Sequence, residues 1–247
     1  MEQSRKRFLR HFLIGASSVP VILEACKKDN VASTDSSTTT SSSSASSGTC
    51  MVAPTETEGP FPTHTPSSLA RSDIRADRTG VLLTINISIT NSKNSCAALS
   101  GALVDIWHCD KDGYYSEYGG TSMQSADFTT VHFLRGRQTT DANGVVTFTS
   151  IFPGWYSGRA THIHVHIFNA AGNSLLITQI AFPEGSGSAV ALVNASTANG
   201  YTKGMSGYTY NAADGVFGDD STGSEIATVS GSVAAGYTLT KTITVAA

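Results

Sequence analysis

The sequence predicts an all-β fold, an antiparallel β-sandwich with long loops, and three observations carry that prediction. Residues 83–89 alternate between large apolar and polar side chains, the period-two pattern of a strand with one buried face. Charged residues make up only 14% of the 247 residues and there are 23 glycines, a composition that disfavours long surface helices. Beyond residue 50, no stretch of the sequence shows the 3.6-residue periodicity of an amphipathic helix.

Six further segments have the apolar and β-branched composition of strands. In chain order they are residues 102–109, 145–152, 161–168, 174–182, 225–233 and 238–245. Between them lie short sequences at 110–113, 141–144 and 170–173 whose Asp, Asn and Gly content is typical of turns. Short strands at this spacing favour a sandwich. The Gly-, Ser-, Asn- and Asp-rich residues 184–224 are expected to form long loops over one end of it.

Residues 1–26 have the features of a bacterial signal peptide. A basic stretch at 4–10 precedes an apolar run at 12–23, which is shorter than the ~20 residues of a spanning helix. The run ends at Leu23-Glu24-Ala25-Cys26, which resembles a lipobox, so we expect lipidation of Cys26 and a cell-envelope lipoprotein, periplasmic or surface-facing. If Cys26 is not lipidated, the expected fate is secretion. The basic stretch leaves the Sec and twin-arginine export routes open.

Residues 27–49 are predicted to be a disordered linker, because 33–49 contain fourteen Ser and Thr and nothing that could form a core. The folded domain is predicted to occupy residues 50–247. There, ten Lys and Arg against fifteen Asp and Glu give a net charge of -5, which argues against a nucleic-acid partner. The only membrane attachment expected is the lipid anchor at Cys26.

Three cysteines lie in the predicted domain, in an exported chain where disulfides can persist. Cys96 and Cys109 bracket a predicted strand, so their Cα atoms would lie too far apart for the ~5.5 Å of a disulfide. We expect Cys50 to pair with Cys109.

His162, His164 and His166 alternate along one predicted strand, so the pleat places the three imidazoles on one face. A His-x-His pair on a strand can chelate a metal, although alternating histidines can also line a polar face. No nearby carboxylate suits a two-histidine, one-carboxylate iron centre, and the cysteines are too few and too badly spaced for a zinc cluster.

Tyrosines are the remaining candidate ligands near these histidines. Tyr156 precedes His162 by six residues on a Pro-Gly turn, and Tyr114 and Tyr115 follow the turn at 110–113. Two phenolates with two imidazoles form a hard, anionic donor set that favours a trivalent ion such as iron(III). The alternative is that the tyrosines are half-buried aromatics at the edge of the sandwich.

Three motifs together resemble those of the intradiol ring-cleavage dioxygenases. They are Trp107-His108-Cys109-Asp110-Lys111-Asp112-Gly113-Tyr114-Tyr115, Pro153-Gly154-Trp155-Tyr156 and Arg159-Ala160-Thr161-His162-Ile163-His164. Residues 58–61 and 176–179 extend the resemblance over most of 50–183. The resemblance implies that the iron ligands are Tyr115, Tyr156, His162 and His164. By the same resemblance, Tyr114 and His166 are neighbours of the metal site, and Arg159 and Gln179 lie beside the substrate.

The resemblance also implies a reaction, in which a non-haem iron(III) enzyme uses dioxygen to cleave a catechol between its two hydroxylated carbons. The product is a cis,cis-muconate-type diacid. Tyr156 is expected to leave the metal and act as a base when catechol binds, and Arg159 to stabilise negative charge on the ring. The interval from Tyr156 to His162 is shorter than in the protocatechuate branch and is similar to that of an exported branch. The family's frequent oligomers imply a homodimer.

Two other functional classes remain open at the sequence level. The first is a surface-anchored, non-enzymatic β-sandwich that binds carbohydrate or protein, with an exposed Trp155 and tyrosines as a stacking platform. The second is a different metalloenzyme that uses the three histidines of the 161–168 segment.

Further polar residues are predicted to have structural roles. Arg135 and Arg137, read as lying beside a turn, are expected to be structural or solvated rather than a patch for an acidic substrate. His108 and His132 are expected to be packed or hydrogen-bonded rather than ligands. His108 lies on the strand that leads to Tyr115, where it could contact residues around the metal.

Overall fold

A computed structural model describes residues 50–247. The predicted signal peptide (1–26) and linker (27–49) lie outside the described residues. Within the described part, the chain forms nine strands and one short helix: β1 (Leu82–Asn91), β2 (Ala97–Ala98), β3 (Leu103–Trp107), β4 (Arg135–Thr139), β5 (Val145–Ile151), β6 (His162–Phe168), β7 (Ser174–Ala181), α1 (Ala189–Asn194), β8 (Thr228–Ser232) and β9 (Gly236–Val245). No helix in residues 50–247 has the length and apolarity needed to span a bilayer.

The first sheet is centred on β1. Its strand order is β2-β1-β9-β8, and β5 also pairs with β1. The predicted alternation is confirmed, because Leu83, Ile85, Ile87 and Ile89 are all fully buried. The pair β1–β9 runs parallel, whereas the other pairs in this sheet are antiparallel. The predicted all-β sandwich is therefore confirmed, with one parallel pair inside it.

The second sheet has the order β4-β3-β6-β7 and is antiparallel throughout. The histidine strand β6 lies between β3 and β7. Its register places His164 opposite Trp107 on β3 and opposite Gln179 on β7. Side chains that are distant in sequence are thus brought to one point on the sheet.

The two faces of β6 have different neighbours. Ile163, Val165 and Ile167 belong to the main apolar core between the sheets. The alternation of the strand directs His162 and His164 to the opposite face. They are nevertheless buried, at 1% exposure each. A second small core lies against them and consists of Phe61, Trp107, Cys109 and Tyr115.

The structure corrects two predictions. Arg135 and Arg137 lie within the edge strand β4, not beside a turn, and this strand was missed because it contains a glycine, which is disfavoured in strands, and no apolar residue. The disulfide joins Cys50 to Cys96, with a Cα–Cα distance of 5.7 Å, while Cys109 is free and buried. The predicted Cys50–Cys109 pair is wrong because the N-terminal segment runs along β9, where the amide of Ala53 donates to the carbonyl of Thr244.

Candidate metal centre

Three side chains from two segments converge at the second sheet. Tyr115 Oη lies 3.1 Å from His162 Nε2 and 3.3 Å from His164 Nε2, and the two imidazole nitrogens are 3.1 Å apart. Ligand atoms about 2.1 Å from one metal ion, at about 95° to each other, are separated by about 3.1 Å. The spacing of these three atoms therefore fits joint coordination of one metal ion.

The protonation states of the histidines also fit a metal. The Nδ1 of His162 is 2.6 Å from the carbonyl of Ala160, which can only accept, so Nδ1 carries the proton and Nε2 keeps its lone pair. Burial lowers the pKa of His162 to about 3 and the pKa of His164 well below its usual value. Both rings are thus neutral, which is the form that binds metals.

Tyr115 is fixed by its backbone and by its ring. The carboxamide of Gln124 accepts from the amide of Tyr115 at 2.7 Å and donates to its carbonyl at 2.8 Å. The ring of Phe61 stacks on the Tyr115 ring at 4.7 Å between centroids. Burial raises the pKa of Tyr115 well above its usual value, so a strong cation is needed to hold this residue as a phenolate.

Tyr156 stands at the open side of the cluster. Its ring is edge-on to Tyr115 at 5.8 Å and to His162 at 5.7 Å, and it is only half-buried, whereas Tyr115 is fully buried. The two tyrosine-bearing turns pack together, because the amide of Gly154 donates to the carbonyl of Asp110 at 3.0 Å. Burial raises the pKa of Tyr156, while the charge of Arg159 and its hydrogen bond lower it.

Arg159 is held beside Tyr156 by two partners. Its Nε donates to the Asp214 carboxylate at 2.9 Å, and its Nη2 donates to Gln179 Oε1 at 2.7 Å. Gln179 in turn donates through Nε2 to the carbonyl of Thr57 at 2.8 Å. The guanidinium is thereby fixed next to the candidate metal ligands.

Asp214 is a site residue that sequence reasoning missed. Its side chain is fully buried and accepts from the amide of Ala160 at 2.6 Å and the amide of Val216 at 2.8 Å, besides pairing with Arg159. Burial would raise the pKa of Asp214, but these hydrogen bonds outweigh it and the pKa is lowered. The residue lies in the stretch predicted only as long loops, and no local motif marks it.

Gly59 is a second missed residue, although the resemblance covered its segment. Its φ is +70°, and a Cβ at this position would lie 2.9 Å from Cε1 of His164. The chain can therefore cross the imidazole only with glycine at this point.

The six predicted site residues lie close together. Tyr114 and His166, which were predicted to be neighbours of the metal site, make other contacts. His166 contacts Glu58 at 3.1 Å and Ser174 at 2.8 Å instead of the cluster, and Tyr114 packs near Phe128. Among the described residues, no three His, Cys, Asp or Glu side chains are placed to hold a metal ion. A centre made of three histidines is therefore not formed, and a metal here would depend on tyrosine.

The residues predicted to be structural behave as such. His108 bonds to Ser150 at 2.7 Å, and His132 bonds to Glu117 at 2.8 Å. Arg135 is fully buried, and Arg137 forms a bidentate pair with Asp105.

Trp155, which the binding-module alternative required to be exposed, is 4% exposed. Its Nε1 donates to the carbonyl of Gly204 at 2.9 Å, and its ring packs edge-on against Tyr208. The predicted stacking platform is wrong because the loops that follow α1 cover the ring.

The chain is similar to known dioxygenases in sequence and in fold. A family model described as Dioxygenase matches residues 58–203. An intradiol ring-cleavage dioxygenase structure from Tetranychus urticae is 30% identical, with a TM-score of 0.66, and the match covers 79% of this chain and 94% of that one. The dioxygenase domain of a dioxygenase carbohydrate-binding protein fusion from Streptomyces sp. SirexAA-E is 26% identical, with a TM-score of 0.54 and coverage of 78% and 97%.

Curated relatives match over a shorter span. Chlorocatechol 1,2-dioxygenase of Rhodococcus opacus is 30% identical over 128 residues, which are 44% of this chain and 46% of that protein. The matched segment thus spans less than half the length of this relative. Intradiol dioxygenases in general use non-haem iron(III) and cleave catechol rings. The chain belongs to the intradiol ring-cleavage dioxygenase family.

Proposed function

We propose that this protein is a non-haem iron(III) dioxygenase that cleaves a catechol-type ring between its two hydroxylated carbons to a cis,cis-muconate-type diacid. The proposed iron ligands are Tyr115, Tyr156, His162 and His164. The observation that carries the proposal is the convergence of Tyr115 Oη and the two imidazole Nε2 atoms within 3.1–3.3 Å of one another, beside Tyr156.

The protein residues have distinct roles in this proposal. When bound, iron(III) would supply the Lewis acidity that binds both catechol oxygens and activates the ring toward dioxygen. Tyr156, which would be a phenolate while it is a metal ligand, would accept a catechol proton at Oη as it leaves the metal, because it is the half-buried one of the two tyrosine ligands and lies on a loop. Tyr115 keeps its position, since Gln124 and Phe61 hold its backbone and ring. Arg159, fixed by Asp214 and Gln179, stabilises negative charge that develops on the ring.

Oxygen uptake by the iron-loaded protein tests the proposed reaction. We expect a red-brown protein, from tyrosinate-to-iron(III) charge transfer, that consumes dioxygen with at least one of catechol, protocatechuate and hydroxyquinol. A colourless protein that binds no iron, or one that binds iron but consumes no dioxygen with any catechol, would contradict the proposal.

The two tyrosines can be separated by spectroscopy. With Tyr156→Phe we expect some iron to remain bound, while turnover falls by about 10²- to 10⁴-fold, the usual contribution of a general base. With Tyr115→Phe we expect weaker colour both before and after catechol is added without oxygen. If the Tyr156 contribution to the spectrum persists unchanged in the catechol complex, its role as a departing base is wrong.

A further inference from the structure

A cavity of about 640 Å³ lies where the N-terminal segment runs beside strand β9. The N-terminal residues 51–56, the loop at 219–225 and strand β9 form its walls. Its apolar side includes Met51 and Val52, and its polar side includes four carboxylates: Glu56, Asp219, Asp220 and Glu225. The cavity thus combines hydrocarbon walls with concentrated negative charge.

Glu225 is the group in this cavity that lacks a partner. It is 2% exposed, and neither carboxylate oxygen has a hydrogen-bond partner among residues 50–247. A buried carboxylate without a partner is costly unless it is protonated or meets a cation. Burial, together with the charges of Glu56, Asp220 and Asp219, raises the pKa of Glu225 to about 7, although the charge of Lys241 lowers it.

The neighbouring lysine offsets the charge of Glu225 without a direct ion pair. Lys241 Nζ donates to the carbonyls of Ser224 and Ile226, on either side of Glu225, and its charge lowers the pKa of Glu225 against the larger effect of burial. Asp220 is already engaged, because it accepts from the amides of Ser224 and Glu225. The negative charge of the cavity therefore lies mainly on Glu225, Glu56 and Asp219.

Two short segments connect the cavity to the catalytic side chains. The carbonyl of Thr57, next to Glu56, accepts from Gln179, which in turn binds Arg159. Phe217, two residues before Asp219, lies 5.6 Å from the Arg159 guanidinium carbon. Glu56 and Asp219 thus lie one and two residues from groups that contact Gln179 and Arg159, a separation that a short chain on a ring bound there can span.

Arg159 is already paired with a carboxylate, so it attracts an anionic substituent less than an unpaired arginine would, while it stays in place to stabilise charge on the ring itself. Its charge is matched by the buried carboxylate of Asp214 at 2.9 Å, and its Nη2 is used by Gln179. A carboxylate on the substrate would meet the acidic cavity, where Lys241 is already bonded to two backbone carbonyls. Like charges placed together in this way select against a ligand.

We propose that the cavity lined by Glu56, Asp219 and Glu225 binds an alkylammonium substituent of the substrate, so that the enzyme prefers catechols with a cationic side chain over carboxylated ones. This inference rests on the proposed catechol ring cleavage. An organic cation suits the site better than a metal ion, because the described residues contain no cluster of three or more acidic or histidine side chains placed to hold one metal. The apolar walls can also cover the hydrocarbon chain of such a substituent.

Oxygen uptake with three matched catechols tests the preference. The ring substituents are 2-aminoethyl, ethyl and carboxymethyl, which are similar in size and carry charges of +1, 0 and -1 at pH 7. We expect kcat/KM to be about tenfold or more higher for the amine than for the ethyl compound, and lowest for the carboxylate. Glu225→Gln should lower the amine-to-ethyl ratio by about tenfold. Asp77→Asn, which removes one exposed carboxylate paired with Arg78, should leave the ratio unchanged.

A binding measurement separates this inference from the proposed reaction. 2-Phenylethylamine lacks the catechol oxygens, and we expect calorimetry to show that it binds the protein, whereas phenylacetate does not. Glu225→Gln should weaken that binding. Uptake of the ethyl compound without a preference for the amine, or a failure of 2-phenylethylamine to bind, would overturn the inference. A failure to consume any catechol while the amine still binds would overturn only the proposed reaction.

Discussion

His166 differs from His162 and His164 in its surroundings, although all three lie on the same strand face. Its ring is half-buried and bonded to Glu58 and Ser174, whereas the other two are buried against Tyr115. We predict that His162→Ala and His164→Ala each abolish iron binding and colour, and that His166→Ala retains both. Metal analysis of the three purified variants decides the matter, and equal iron loss in His166→Ala would reverse the assignment.

Asp214 makes the stability of the protein depend on pH. Its pKa is lowered in the folded state, so its contribution is present above the unfolded value of about 3.9 and is lost as the pH falls through the folded value. Removing one partner of a buried pair costs about 3 kcal/mol. We predict that Asp214→Asn lowers the free energy of unfolding by about that amount at pH 7.

Urea denaturation of both proteins between pH 7 and pH 2 checks this prediction. The difference between the wild type and Asp214→Asn should shrink as the pH falls below about 4. A difference that stays constant over this range would show that the charge of Asp214 is not the source of its stabilising effect.

At the scale of elements, the segment 58–61 shapes the centre by crossing β6. Ala at position 59 would place a methyl group 2.9 Å from the His164 ring, at a φ of +70° that itself costs about 1–2 kcal/mol. We predict that Gly59→Ala lowers iron occupancy because His164 must move. Gly172→Ala is the control, since Gly172 has a φ of +82° and open space around it. Metal analysis should show normal iron in the control, and equal iron loss in both variants would mean that backbone strain alone is responsible.

The disulfide ties the N-terminal segment to the first sheet. It closes a loop of 46 residues, for which the chain-entropy account gives about 4 kcal/mol. We predict that replacing Cys50 and Cys96 by Ala lowers the free energy of unfolding by about 2–4 kcal/mol and makes it insensitive to reductant. If Cys109→Ala, rather than the double variant, abolishes sensitivity to reductant, the bond between Cys50 and Cys96 is wrong.

At the scale of the whole molecule, export and lipid anchoring remain predictions that rest on residues 1–49. We predict that the full chain, expressed in a bacterium, is lipid-modified at Cys26 and sediments with membranes, while Cys26→Ala does not. Residues 50–247 alone contain both sheets and all the site residues, so a chain that starts at Cys50 should fold and consume dioxygen like the full chain. Membrane-associated Cys26→Ala, or a truncated chain without cooperative unfolding, would contradict these expectations.

Local sequence was enough to predict most of the strands and to select the residues of the candidate centre. Alternation identified β1 because one face of that strand is buried along its length, and the spacing of His162 and His164 placed them on one face. Tyr115 and Tyr156 were recognised through motifs that each combine a turn with an adjacent strand. These features depend on neighbours in the chain, so the sequence carries them directly.

The remaining features were decided only by tertiary structure, because each depends on residues far apart in the chain. Asp214 pairs with Arg159 although the two residues are 55 positions apart in the chain. Cys50 forms a disulfide with Cys96 because the N-terminal segment runs beside β9. Strand β4 pairs with β3, where Arg137 lies opposite Asp105 and bonds to its carboxylate. The acidic cavity arises where the segment 51–56 meets the loop at 219–225. No local sequence pattern encodes these contacts, since they result from how the two sheets and their loops pack.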